Sequence, residues 1–171
     1  MSNSQLTMDW KNIANINDLE LKLDQKGEFY KKESVPLASQ MGAKKLGFHI
    51  VVLHPKTFSC PYHFHHSDEE LFLILEGKAI LRQAGQFREV KKGDLLFFTN
   101  SPEGAHQLYN HTDRPVKYLD LTTMDDFEVC EYPDSQKVYV SRIKKLFQAG
   151  SKVDYFKDEE NPKLFWPKKF L

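Results

Sequence analysis

The segment Cys60 to Gly77 reads CPYHFHHSDEELFLILEG and places three side chains able to hold a divalent ion, His63, His65 and Glu70, within eight residues. In an extended segment, side chains two apart share a face, so both imidazoles can aim at one point. Ser67 and Asp68 supply a turn, after which Glu70 opens the apolar run Leu71 to Leu75 and returns beside the histidines on a neighbouring strand. His106, which follows Pro102, Glu103 and Gly104, is a fourth ligand of the same kind. Three neutral imidazoles and one carboxylate suit one divalent ion such as Fe, Mn, Ni, Co, Cu or Zn, and six-coordination would leave two positions for water or substrate.

The elements that must carry these residues are strands. From about Lys45 to Thr123, short apolar segments alternate with Gly, Pro, Asn and Asp signals, the spacing of an all-β sandwich or barrel. The expected strands are Leu46 to Leu53, Leu71 to Leu75, Lys78 to Gln83, Phe87 to Lys91, Leu95 to Thr99, His106 to Asn110 and Val116 to Thr122. The flanks differ. Leu19, Leu21 and Leu23 alternate as in one half-buried strand, and Ile143, Leu146 and Phe147 fall at helical spacing before Gly150, which predicts a short C-terminal helix over Ser141 to Gly150. This divides the chain into an N-terminal extension with one or two added strands (1–44), a barrel (45–123), and a C-terminal strand, short helix and aromatic tail (124–171). The tail is expected to pack on its own barrel or on a partner subunit.

These residues resemble the two motifs of the cupin superfamily. His63, His65, Glu70 and Gly77 match the first motif in order and spacing; Gly93, Pro102, Gly104, His106 and Asn110 match the second in order, with a longer Gly93 to Pro102 interval. The glycine expected about six residues before the first histidine is replaced, Lys56 and Thr57 occupying that turn. The resemblance covers roughly residues 45 to 123 and is nearest to small single-domain bacterial cupins of unassigned substrate. It implies an antiparallel β-barrel of the double-stranded β-helix or jelly-roll type, often a homodimer. It also implies one metal ion at His63, His65, Glu70 and His106.

Other polar residues have plainer explanations. His66 should face away from His65, and Glu69 away from Glu70, although a one-residue slip would exchange the two carboxylates. His49, His54 and His111 read as surface or internally satisfied strand histidines, and Cys60 as a small buried apolar side chain. Phe72, Ile74, Leu108 and Asn110 share parity with the ligands and either line a pocket or fill the barrel; Phe97 and Phe98 read as core. A metal-free polar pocket built on the same histidines is the alternative to a metal site.

The 24 basic and 24 acidic side chains are mixed along 171 residues and cancel, so no field favours nucleic acid or an anionic membrane. The first ten residues lack the features of a secretory signal, and Cys60 and Cys130 form no CxxC pair, which is consistent with a soluble cytoplasmic protein carrying reduced thiols. The leading expectation is a metal-dependent enzyme acting on a small organic molecule by oxygenase or isomerase chemistry. The alternative is a non-catalytic module that binds or senses a small ligand around a structural metal.

Overall fold

The computed structural model describes residues 12–150 and 153–170; residues 1–11 of the N-terminal extension, and Leu171 of the tail, lie outside them. Among the described residues, thirteen strands form three antiparallel sheets. The largest has the order β1 (Lys22–Lys26), β2 (Tyr30–Pro36), β3 (Leu46–Leu53), β10 (Val116–Thr123), β5 (Glu70–Glu76), β8 (Leu95–Phe98). The second has the order β7 (Gln86–Lys91), β6 (Lys78–Gln83), β9 (His106–Tyr109). The third runs β13 (Lys145–Gln148), β12 (Lys137–Val140), β11 (Val129–Tyr132), β4 (Phe64–His65).

Period-two alternation explains the core. Val51 and Leu53 on β3, Phe72 and Ile74 on β5, Leu81 on β6, Val90 on β7, Phe98 on β8, Leu108 on β9 and Val116 and Tyr118 on β10 form one buried cluster between the sheets. The intervening residues point outward. Phe97 is one of these, half exposed on the face opposite Phe98, because adjacent strand residues cannot both face the core. The outer face of the large sheet is covered by the N-terminal extension: Val35, Leu37 and Ile50 pack there with Ile16, Leu19, Leu21 and Met41. Leu19 and Leu21 therefore bury as expected, but ahead of the strand; Leu23 is exposed on polar β1, which is held by its pairing with β2.

The helix expected over Ser141 to Gly150 is not formed. Ser141–Ile143 is a single 3-10 turn between β12 and β13, and Val138 pairs with Phe147 and Tyr139 with Leu146. A short apolar pattern is compatible with either period, and here β-branched Val138 and Val140 supply a partner strand. Lys144 closes the turn in the left-handed region at φ 51°. From 153 to 170 every described residue is exposed.

Three local features fix the elements around the histidines. Gly77 turns β5 into β6 at φ 78°, where a Cβ would meet the Pro115 carbonyl oxygen at 2.8 Å. The turn before the first histidine keeps a left-handed residue despite lacking glycine: Lys56 has φ 59° and is tied by its Nζ to the His111 carbonyl at 2.7 Å. The third sheet is clamped to the second by Arg82, whose guanidinium forks onto Asp134 at 2.6 and 2.8 Å and covers the Tyr62 ring at 3.8 Å.

Candidate metal centre

His63 and His106 face each other in an antiparallel bridge, the His106 amide donating to the His63 carbonyl at 2.9 Å and the His63 amide to the His106 carbonyl at 3.3 Å. This bridge brings the segment before β4 against the start of β9. A small cluster of Tyr62, Phe64 and Ala105 buries the same junction. Gly104 permits it, since a Cβ there would collide with the Thr99 backbone.

One ligand atom from each of His63, Glu70 and His106 lies within 4.8 Å of the others. His65 joins through Glu70, its Nε2 being 3.6 Å from Glu70 Oε2, and its ring centroid is 5.1 Å from that of His63. The four residues singled out in the sequence are thus brought together on the barrel-facing side. Glu70 is the inward carboxylate: it pairs with Thr122 on β10 and is buried, whereas Glu69 is exposed, so no register slip occurs.

Each imidazole is anchored by its Nδ1. His63 Nδ1 meets the Pro61 carbonyl at 2.9 Å, His106 Nδ1 the Gly104 carbonyl at 2.9 Å, and His65 Nδ1 the Glu128 carboxylate at 3.0 Å. These partners only accept, so Nδ1 carries the proton and, in the neutral ring, Nε2 carries a lone pair. The His106 ring is further locked by stacking on Phe98 at 3.7 Å and by the edge of Phe72. Its Nε2 stands 3.0 Å from Glu70 Oε2, and neither atom has a hydrogen-bond partner although both are buried.

The electrostatics follow from burial among these partners. Burial works against the charge of Glu70, but His106 and His65 outweigh it and hold the carboxyl well below its usual range. Burial likewise disfavours charged His65, but Glu128 and Glu70 push its pKa up to about 10. For His63 burial dominates and lowers the pKa. Buried orphan atoms of this kind are costly and call for an explanation at the site.

Other residues lie where sequence reasoning did not put them. His49 is half-buried on the barrel-facing side of β3, directly opposite Asp120 on β10. Burial, then Lys32, lowers the His49 pKa, while burial, then Glu70, raises Asp120 well above the carboxylate range. The parity of His49 with Val51 and Leu53 was the available signal. Glu128, Cys130 and Tyr132 were also missed. The Cys130 thiol comes within 4.8 Å of His63 and His65, Tyr132 stacks on His63 at 5.9 Å, and burial pushes Cys130 up to about 12, so it is a neutral thiol. The Cys60 thiol is 3.6 Å from His63 Nδ1.

His66, His54 and His111 stay outside the cluster, paired with Glu131, Glu33 and Glu89 respectively. Asn110 lines no pocket. It is fully buried, donating to the carbonyls of Leu53 and Arg114 and accepting from the Thr112 amide and hydroxyl.

An antiparallel barrel with an inward cluster of three imidazoles and one carboxylate defines a class of small β proteins able to hold a divalent ion. Residues 49–122 match the family model described as Cupin domain, and this chain carries a cupin domain of that all-β fold. An uncharacterized protein of Methanocaldococcus jannaschii is 32% identical over 71 residues, 42% of this chain; the match spans about half of that relative, 48%. Three solved structures share the fold. A putative sugar phosphate isomerase from Acidithiobacillus ferrooxidans has a TM-score of 0.75 at 21% identity, covering 84% of this chain and 97% of its own. A sugar phosphate isomerase of the cupin superfamily from Silicibacter pomeroyi has 0.65 at 24%, covering 72% and 81%. A predicted oxalate decarboxylase from Thermotoga maritima has 0.56 at 22%, covering 66% and 99%. Among the described residues no helix is long and apolar enough to cross a membrane.

Proposed function

We propose that His63, His65, Glu70 and His106 hold one divalent metal ion. We further propose that the chain is an enzyme acting on a small organic molecule, with isomerisation of a hydroxy-carbonyl compound as its reaction class. The observation that carries the first part is the orphaned pair, His106 Nε2 and Glu70 Oε2, buried 3.0 Å apart without a hydrogen bond. Two lone-pair atoms facing each other at this distance need a proton or a metal ion between them, and four such donors converging here favour the metal. Nδ1 anchoring of all three imidazoles supports the same reading, because ligating histidines usually donate the other ring N–H to a carbonyl or carboxylate. Fe, Mn, Ni, Co, Cu and Zn all fit this donor set.

When bound, such an ion supplies Lewis acidity to a substrate oxygen. The chain's own residues supply the rest. Isomerisation removes a proton from one carbon and returns one to its neighbour. His49 and Asp120, opposite each other beside Glu70, are the side chains placed for those transfers. Two of the fold neighbours are described as sugar phosphate isomerases, which agrees with this class, although fold alone does not fix chemistry. A homodimer belongs to the same proposal, supported by Phe87, Leu95 and Phe97 and by the aromatic tail, all left exposed. Two free thiols, Cys60 and Cys130, fit a cytoplasmic setting.

The test is proton exchange. Metal-loaded protein incubated in heavy water with a panel of aldose and ketose phosphates should place deuterium beside the carbonyl of one member. The signal should disappear on metal removal and in His49→Ala. Oxygen consumption without such exchange would assign oxygenase chemistry instead, and tight binding without turnover would assign the non-catalytic module.

A further inference from the structure

Glu128 lies outside the segment that matches the Cupin domain model, yet its carboxylate accepts four hydrogen bonds beside the four-residue cluster. It leads into β11 and is buried. Its Oε1 accepts the Nδ1–H of His65 at 3.0 Å and the His66 amide at 3.3 Å. Its Oε2 accepts the amides of Ser67 at 3.0 Å and Asp68 at 2.9 Å. One carboxylate therefore holds a ring and the turn that follows it, and that turn delivers Glu70 to the site.

We infer that Glu128 is a positioning residue for the metal centre. It fixes the His65 ring with Nδ1 protonated and Nε2 aimed at Glu70, making the C-terminal sheet part of the site. This rests on the reading of His65 as a ligand. A carboxylate suits the task because it only accepts, and all four of its partners donate. Glutamine separates positioning from mere packing. Its amide keeps the shape, but its oxygen is needed by the two amides of Ser67 and Asp68. The NH₂ group is then left facing the His66 amide, which loses its acceptor, and His65 Nδ1, which must become an acceptor. The proton moves to Nε2, where it blocks the lone pair that a metal requires.

The experiment uses the full chain and Zn²⁺ alone as probe. Zn²⁺ affinity and stoichiometry are measured by chelator competition for the natural protein and Glu128→Gln. In parallel, the ring N–H signals of the zinc-loaded natural protein are recorded by ¹H–¹⁵N NMR. Expected are one zinc per chain, a His65 Nδ1–H signal protected from solvent exchange, and, in a Glu128→Gln variant that is folded though lower in melting temperature, a roughly tenfold to hundredfold weaker affinity. One zinc per chain with equal affinity in a folded Glu128→Gln would overturn the positioning role. If that variant does not fold, the natural protein decides: an unprotected Nδ1–H, or a protonated Nε2, overturns the inference. Failure of the natural chain to bind zinc or any other candidate ion is a different result, which removes the metal centre itself.

Discussion

His106 Nε2 and Glu70 Oε2 stand 3.0 Å apart inside the barrel, each buried and each without a hydrogen bond. The Nδ1 of the same ring is committed to the Gly104 carbonyl, and stacking on Phe98 prevents the ring from turning away. The contact needs a positive charge between the two atoms, supplied either by a proton on Nε2 or, in the proposed reading, by a metal ion.

The first consequence concerns Glu70. Glu70→Gln keeps the volume and removes the charge, so the barrel should still fold while metal affinity drops. Since outer partners of ligands already contribute tenfold to a hundredfold, the expected loss is on the order of a hundredfold or more. Metal titration alongside far-UV circular dichroism checks both halves; unchanged affinity would remove Glu70 from the site.

Asn110 separates architecture from chemistry. It belongs to the second motif, but the four hydrogen bonds of its side chain all go to the turn over residues 110–114 and to Leu53. Asn110→Ala strands buried carbonyls and should cost about 3 kcal/mol of stability, with metal affinity of the folded fraction close to natural. Urea unfolding and metal titration on one sample distinguish this from a pocket role, which would lower affinity at constant stability.

The histidines and strands were legible for a physical reason. The central strands each have one buried face, so period-two patterning marks them, and histidines two apart inherit the same parity. Glu128 was not legible because nothing local marks it: its partners are about sixty residues away, at His65 to Asp68. For His49 the parity with Val51 and Leu53 was legible, but its partner Asp120, about seventy residues away, was not. The C-terminal hairpin was misread as helix because Ile143, Leu146 and Phe147 satisfy a helical period over too few residues to exclude a strand.

That hairpin gives a test of its own. Lys144 sits at φ 51°, a conformation that strains any residue with a Cβ and suits glycine. Lys144→Gly should stabilise the protein by about 0.5–1 kcal/mol, net of the extra chain entropy lost. In a helix the same change would destabilise by about 1 kcal/mol, so the sign of the shift in thermal midpoint decides between them.

Alkaline pH should weaken the fold. Burial pushes Cys130 up to about 12 and raises Tyr118 and Tyr132 above the ordinary tyrosine value. Unfolded cysteine and tyrosine lose their protons near pH 8.5 and 10, where the folded groups keep theirs. The folded state then binds more protons, and the slope of stability against pH is negative. This contribution is fully present below about pH 8.5 and is lost as pH climbs toward the folded values. Urea midpoints at pH 7.5 and pH 10 should fall in that order; an equal or higher midpoint at pH 10 would contradict it.

The central claim is tested most directly by metal content. Elemental mass spectrometry of protein purified without chelator or a nickel column should find close to one divalent ion per chain, lost in a His63→Ala, His106→Ala double variant that remains folded. No metal in the natural chain, even after anaerobic reconstitution with Fe, Mn, Ni, Co, Cu and Zn in turn, would contradict the account.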